Sequence, residues 1–172
     1  MRHYIFKILI TGNATVGKTS LLRRYVDGMF DDSSVMTVGV DFFTKEVSID
    51  NAQCSLQLWD LGGQERFRHL LDSFVTGARG ALLLFDLTKM PKIGDILDWV
   101  NIARLHDINL PIILVGTKND LEDFIAVDDE SALHIKNTFN MVEYIKTSSK
   151  TGYNIDELFN LLAKKLTEVS KY

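Results

Sequence analysis

The sequence predicts an α/β domain built on a mostly parallel sheet. Three observations carry that reading. Residues 80–86 and 110–115 are nearly unbroken apolar runs, as expected of strands buried on both faces. Stretches with helical apolar spacing alternate with the strands, the order of βαβ units. Polar segments at 11–19, 60–64, 117–120 and 147–150 each follow a strand. The carboxyl ends of strands are where such sheets bind ligands.

The elements follow in order. Residues 3–10 read as a buried strand. Gly12-Asn13-Ala14-Thr15-Val16-Gly17-Lys18-Thr19 comes next, spaced G-x-x-x-x-G-K-T, and Ser20 continues into a helix ending near Asp27. Glycines let backbone N–H groups approach an anion, and a helix N-terminus adds partial positive charge. Lys18 reaches β and γ phosphates in this pattern, and the Thr19 hydroxyl suits Mg²⁺. The alternative is an incidental glycine-rich turn before a helix. Residues 28–39 break the periodicity in a loop long enough to suggest function. Two alternating runs then form a hairpin around the turn signal Asp50-Asn51. Phe43, Val47 and Ile49 share one face of the first run, and Phe42, Thr44, Glu46 and Ser48 share the other. Cys54, Leu56 and Leu58 oppose Gln53, Ser55, Gln57 and Trp59 in the second. Phe42 and Trp59 thus stand on otherwise polar faces, as an aromatic interaction patch would.

After residues 60–65 a helix is expected through Phe74, then the strand at 80–86. Ile96, Leu97, Val100, Ile102, Ala103 and Leu105 mark the next helix, and the 110–115 strand ends just before Thr117-Lys118-Asn119-Asp120. A helix at about 128–138 and a short strand at 142–146 lead to Thr147-Ser148-Ser149-Lys150. Asn154 with Glu157 has capping-box spacing. The last helix then buries Ile155, Leu158, Phe159, Leu162 and Leu166.

The 172 residues suit one domain over 1–172, 46% hydrophobic and 24% charged. A net charge of −4 argues against nucleic-acid binding, which favours a basic face. Cys54 is alone, so no internal disulfide forms and a reducing compartment is expected. No apolar run approaches membrane-spanning length. Arg2 stands where myristoylation needs glycine, and the last residues hold no prenylatable cysteine. The expected localisation is cytoplasmic, with membranes reached through partners or a lipidated tail absent from this sequence.

The phosphate loop, Thr37-Val38-Gly39-Val40-Asp41-Phe42, Trp59-Asp60-Leu61-Gly62-Gly63-Gln64-Glu65-Arg66-Phe67, Thr117-Lys118-Asn119-Asp120 and Ser148-Ser149-Lys150 together resemble the five nucleotide motifs of the Ras superfamily of small GTPases. The second and third motifs are most similar to the Rab family. The resemblance covers essentially the whole chain. It implies a single P-loop NTPase (G) domain, with a mostly parallel six-stranded sheet, one antiparallel edge strand and about five helices on both faces. It also implies a guanine-nucleotide switch that binds GTP or GDP with Mg²⁺ and hydrolyses GTP slowly. Effectors would read the GTP state through residues 30–42 and 61–76, in a Rab-like trafficking role.

Residue by residue, the resemblance assigns phosphate binding to Ala14, Thr15, Val16, Gly17, Lys18, Thr19 and Ser20, with Lys18 and Gln64 catalytic. Gln64 would orient the attacking water, and the Gly63 N–H would meet the γ-phosphate. Thr19 and Thr37 would ligate Mg²⁺, and Asp60 would hold it through water. Asp60 equally suits a helix N-cap. Thr37 equally suits the entry to a strand, and Phe30, matched to the aromatic on the guanine, equally suits a core position closing the first helix. Thr117, Lys118 and Asp120, with Ser148, Ser149 and Lys150, match the guanine-reading segments. Asp120 would accept from the ring N–H and the exocyclic amine, a pair adenine lacks. Thr117 replaces the commoner Asn, as in Rho proteins, and Ser149 replaces Ala at a backbone contact. Phe42, Trp59 and Phe74 match the aromatic triad with which Rab proteins contact effectors.

Two departures bear on rate and kinship. Ala14 occupies the Gly position of Ras proper, where a side chain obstructs a partner's arginine finger. Leu61-Gly62 is closer to the Arf family. Arg66 and Arg68 read as solvated helix positions, so an activating protein is expected to supply the arginine. An exchange factor and effectors complete the expected partners of a monomer. Ala14 keeps a non-hydrolysing GTP-binding scaffold module open as the alternative. A P-loop ATPase or small-molecule kinase would not need Asp120.

Overall fold

The computed structural model describes residues 1–31, 40–62 and 71–171. Its elements are β1 (Arg2–Thr11), α1 (Lys18–Asp27), β2 (Val40–Ile49), β3 (Ala52–Leu61), α2 (Asp72–Val75), β4 (Gly80–Asp86), α3 (Ile93–Ala103), β5 (Ile112–Thr117), α4 (Asp129–Thr138), β6 (Glu143–Lys146) and α5 (Ile155–Val169), with a 3-10 turn at Glu122–Phe124. The strands form one six-stranded sheet in the order β2-β3-β1-β4-β5-β6. Only the β2–β3 pair is antiparallel, which makes β2 the antiparallel edge expected from the alternating hairpin.

Period-two alternation sends successive side chains of each inner strand to opposite faces. Phe6, Ile8, Ile10, Leu82, Leu84, Ile113 and Val115 meet Leu21, Leu22 and Tyr25 of α1 and Leu158, Phe159 and Leu162 of α5. Leu9, Ala81, Leu83, Phe85, Ile112 and Leu114 meet α2, α3 and α4 on the other face. Tyr25 stacks on Phe159 with ring centroids 3.8 Å apart. The central strands β4 and β5 and the second half of β1 are therefore buried on both sides, while β2 and one face of β3 stay partly open to solvent.

Several expectations change in detail. β5 starts two residues late, because Pro111 has no N–H for the ladder, and it extends to include Thr117. In α3 the inward stripe is Ile96, Trp99, Val100 and Ala103, the i, i+3, i+4, i+7 pattern. Leu97 is exposed on the opposite side, and Leu105 is exposed beyond the helix end. Asn154 forms no capping box: it adopts a left-handed φ of 57°, and its amide donates to Lys146 O at 3.0 Å. A side-chain cap needs an extended backbone at that position. Of the helix expected through Phe74, α2 carries only the end, since 63–70 lie outside the described residues.

Candidate functional site

β1 delivers the chain to the phosphate loop at the sheet's centre. Gly12 has φ 137°, and a Cβ there would lie 2.5 Å from the Leu84 carbonyl oxygen, so only glycine fits against β4. Gly17, at φ 101°, ends the loop as the residue before α1. Lys18 follows, 6% exposed, with Nζ donating to the carbonyls of Gly12 at 2.8 Å and Asn13 at 2.9 Å. A buried ammonium held over a loop of backbone amides is a phosphate-binding arrangement. Ala14, Val16 and Ser20 are half-buried around it, and Thr15 is exposed.

Thr19 and Asp60 meet although 41 positions separate them. The parallel β1–β3 register pairs Ile10 with Asp60, and the Thr19 hydroxyl donates to Asp60 Oδ2 at 2.5 Å. Asp60 is wholly buried. Since Asp60 lies within β3, the N-cap alternative for it does not hold. A hydroxyl and a carboxylate are hard oxygen donors that fit Mg²⁺, which is usually held by one or two carboxylates plus substrate phosphates. The described residues contain no cluster of three His, Cys, Asp or Glu that would suit another metal better.

The base-reading segments converge at the neighbouring strand ends. Thr117 Oγ1 lies 2.6 Å from Val16 O and 3.0 Å from Phe85 O, and its single proton serves one at a time. Lys118 Nζ bonds Asp86 Oδ2 at 2.8 Å and Thr15 O at 3.2 Å. Burial pushes the Asp86 carboxyl up, but the bonds from Lys118 and from the Thr88 hydroxyl and N–H outweigh it, leaving it below the usual carboxylate range. Ser148 Oγ donates to Asp120 Oδ1 at 2.7 Å, which fixes the carboxylate's direction. Ser149 is half-buried beside them and Lys150 is exposed.

Backbone strain marks the same place independently. Among the described residues, five non-glycines have positive φ. Asp50, Asn140 and Asn154 are of the types that tolerate it. Thr15 at 68° and Lys118 at 64° are not, and they are the two joined by a hydrogen bond across the site. Such strain persists only where surrounding contacts over-determine it, most often at functional sites.

Phe42, Trp59 and Phe74 also come together. Phe42 pairs across the hairpin with Trp59, ring centroids 5.2 Å apart and edge-on, and Trp59 lies 6.1 Å from Phe74. Phe42 is 46% exposed, but Trp59 is half-buried, its ring covered by Lys7 Nζ at 4.3 Å. Phe30 is 36% exposed and belongs to neither core, so the core alternative for it does not hold. Thr37, Gly63 and Gln64 lie outside the described residues, as do Arg66 and Arg68.

Three residues at the site escape sequence reasoning. The Asn13 side chain accepts from Trp99 Nε1 at 2.8 Å and donates to Asp95 Oδ2 at 2.8 Å. The inward α3 stripe would have shown Trp99, since it falls three residues after Ile96 and four before Ala103. Nothing in the pattern pairs it with the loop 86 positions earlier.

A family model described as the Ras family matches residues 7–168. Ras-related protein Rab-19 of Rattus norvegicus is 35% identical over 164 residues, 95% of this chain and 76% of that protein. Ras-related protein Rab-1 of Theileria annulata is 38% identical over 172 residues, 98% of this chain and 78% of its own length. Rab-19 of Xenopus laevis is 34% identical over 164 residues, 95% and 77% of the two chains. Matches of that extent, on a sheet whose strand ends carry these motifs in this order, show that the chain belongs to the Ras family and is a Rab-like small GTPase.

Proposed function

We propose that residues 1–172 act as one domain that binds GTP and GDP with Mg²⁺, hydrolyses GTP slowly, and presents the GTP state to effectors in membrane trafficking. The observation that carries this reading is the convergence along one sheet edge. Lys18, Thr19 and Asp60 stand at one end of it, and Asp120 with Ser148 at the other.

In this reading the loop N–H groups from Ala14 to Ser20 and the Lys18 ammonium hold the phosphates and neutralise charge as it develops. Mg²⁺, held by Thr19, Thr37 and, through water, Asp60, would supply further neutralisation of the phosphate oxygens. Gln64 orients the attacking water, and the Gly63 N–H meets the γ-phosphate. Asp120, steered by Ser148, accepts from the guanine N–H and amine, with Lys118 along the base and Phe30 on its edge. Ser148 commits its own N–H to Tyr153 O at 3.1 Å, so the guanine carbonyl is left to the N–H groups of Ser149 and Lys150. Thr117 braces the loop through its hydroxyl. No described residue serves as an internal arginine finger. A partner supplying one is typically worth ~10³–10⁵ in rate. The partners are therefore an activating protein, an exchange factor and effectors that dock on Phe42, Trp59 and Phe74. The protein acts as a cytoplasmic monomer. Among the described residues no helix is long and apolar enough to cross a membrane.

The test is the nucleotide released on denaturing freshly purified protein. GDP is expected. GTP would favour the non-hydrolysing scaffold that Ala14 admits, and adenine nucleotides would overturn the reading. Asp120→Asn should shift preference from guanine toward xanthine nucleotides, because the amide can donate where the carboxylate only accepts.

A further inference from the structure

We propose that α3 positions the phosphate loop through Asn13, and that Trp99 and Asp95 are positioning residues for nucleotide retention. This rests on the reading of Gly12–Thr19 as the phosphate site.

Asn13 is a joint between two hydrogen-bonding systems. Its main-chain carbonyl accepts from the Lys18 ammonium at 2.9 Å. Its side-chain amide is gripped from α3 at both atoms, Oδ1 by the Trp99 indole N–H and Nδ2 by the Asp95 carboxylate. Two bonds fix the plane and the rotation of that amide and so anchor the Asn13 Cα, next to the carbonyl that accepts from Lys18. Trp99 itself is immovable, 1% exposed within the core of α3 and β4.

Among the described residues, packing between the loop and α3 is incomplete. Between the loop and α3 lies a cavity of about 270 Å³, lined by Asn13, Ala14, Val16, Phe85, Ile96 and Trp99 among others. Where packing is incomplete, hydrogen bonds carry more of the task of fixing the loop. It also carries the strained Thr15, whose backbone would relax if released. On the opposite side Thr117 and Lys118 bond the carbonyls of Val16 and Thr15. The Asn13 bonds are the counterpart from α3, and between the two sets the loop is kept in the shape that receives phosphate.

The geometry demands one donor and one acceptor between positions 13 and 95, and an acceptor at 13 for Trp99. Asn13→Asp keeps the acceptor for Trp99 but sets two carboxylates face to face. Adding Asp95→Asn restores a donor–acceptor pair in the reverse direction and returns the parental net charge. The readouts are the release rate of a fluorescent GDP analogue from the Mg²⁺-loaded protein and the thermal midpoint. Asn13→Asp should speed release about tenfold, and Trp99→Phe about three- to tenfold, the range of one lost hydrogen bond. The double variant Asn13→Asp/Asp95→Asn should release within about twofold of the parent, the residue of a restored bond. Val100→Ala, on the same buried face of α3 but without a hydrogen bond to the loop, should lower the midpoint and leave release unchanged. The proposal is overturned if the double variant releases as fast as Asn13→Asp alone. It is equally overturned if Val100→Ala speeds release as Trp99→Phe does at a matched loss of midpoint. Lys18→Ala separates the underlying reading: if it binds the analogue as tightly as the parent, the phosphate site itself is misassigned.

Discussion

Thr15 is the residue where the site's demands and the chain's preferences disagree most. A β-branched side chain at φ 68° crowds its own backbone, by roughly 1–2 kcal/mol for a left-handed L-residue. Glycine would remove that crowding and give back about 0.4–1 kcal/mol through the freer unfolded chain. Thr15→Gly should therefore stabilise the protein slightly, by about 0.5–1 kcal/mol in a denaturant titration, the difference of those two effects. A clear loss of stability would show that the exposed threonine side chain earns its place by a contact. Phe42 is the opposite case, an aromatic with little structural duty. It is 46% exposed and leans edge-on against Trp59. Phe42→Ala should change stability by less than about 1 kcal/mol, as surface substitutions usually do. GTP-dependent partners should nevertheless be lost in a pull-down with the GTP-loaded protein. Their retention at parental level would remove the patch from the effector surface.

At the scale of elements, the ends of β4 and β5 are joined by one ion pair. Asp86 closes β4, Lys118 leaves β5, and they meet at 2.8 Å. Because the folded Asp86 pKa lies below its unfolded value near 3.9, the pair's contribution is complete above that pH and is lost as pH falls through the lower folded value. Asp86→Asn should cost about 1 kcal/mol at neutral pH, the worth of a partly exposed charged hydrogen bond. Its stability should begin to approach the parent's only as pH falls below the unfolded carboxyl value, and meet it below the lower folded value, where both chains are neutral at this position. A gap that persists undiminished at pH 2.5 would assign the loss to shape rather than charge.

Elements were also the scale at which sequence was most readable. Strand alternation, hairpin face assignment and the carboxyl-end placement of motifs all follow from periodicity, and the observed register keeps them. What periodicity could not give were contacts that close over long separations. The resemblance placed Thr19 and Asp60, and Ser148 and Asp120, at one site, but not the hydrogen bonds that join each pair. Asn13 with Trp99 was not legible at all, because a tryptophan in an inward stripe reads as packing. The false capping box shows the converse fault: Asn154 with Glu157 has the right spacing, but the turn after β6 claims the amide for Lys146.

The whole molecule is a sheet whose central strands are covered on both faces, with the site along one edge. Its interior residues Ile8, Leu9 and Ile10 are fully shielded, split between the two cores. A bound nucleotide would add contacts across strand ends from the phosphate loop to the segment after β6, so ligand should stabilise the entire fold. At a hundredfold excess over Kd, the gain is about 2.7 kcal/mol. Stripping nucleotide and Mg²⁺ with a chelator should lower the thermal midpoint, and GDP with Mg²⁺ should restore it while ATP should not. Equal restoration by ATP would contradict guanine selectivity.

The central position of β1 has a consequence for time as well as for energy. β1 is bonded on both sides, to β3 and β4, whereas β2 is bonded on one side and bounds the segment at 32–39. Amide protons along Ile8–Ile10, paired on both sides, can therefore meet solvent deuterium only when the whole sheet opens, while those of β2 exchange by local opening of an edge. The clock that resets the nucleotide can then run at the rim many times within the lifetime of a single β1 amide proton, without the frame that carries the phosphate loop ever coming apart.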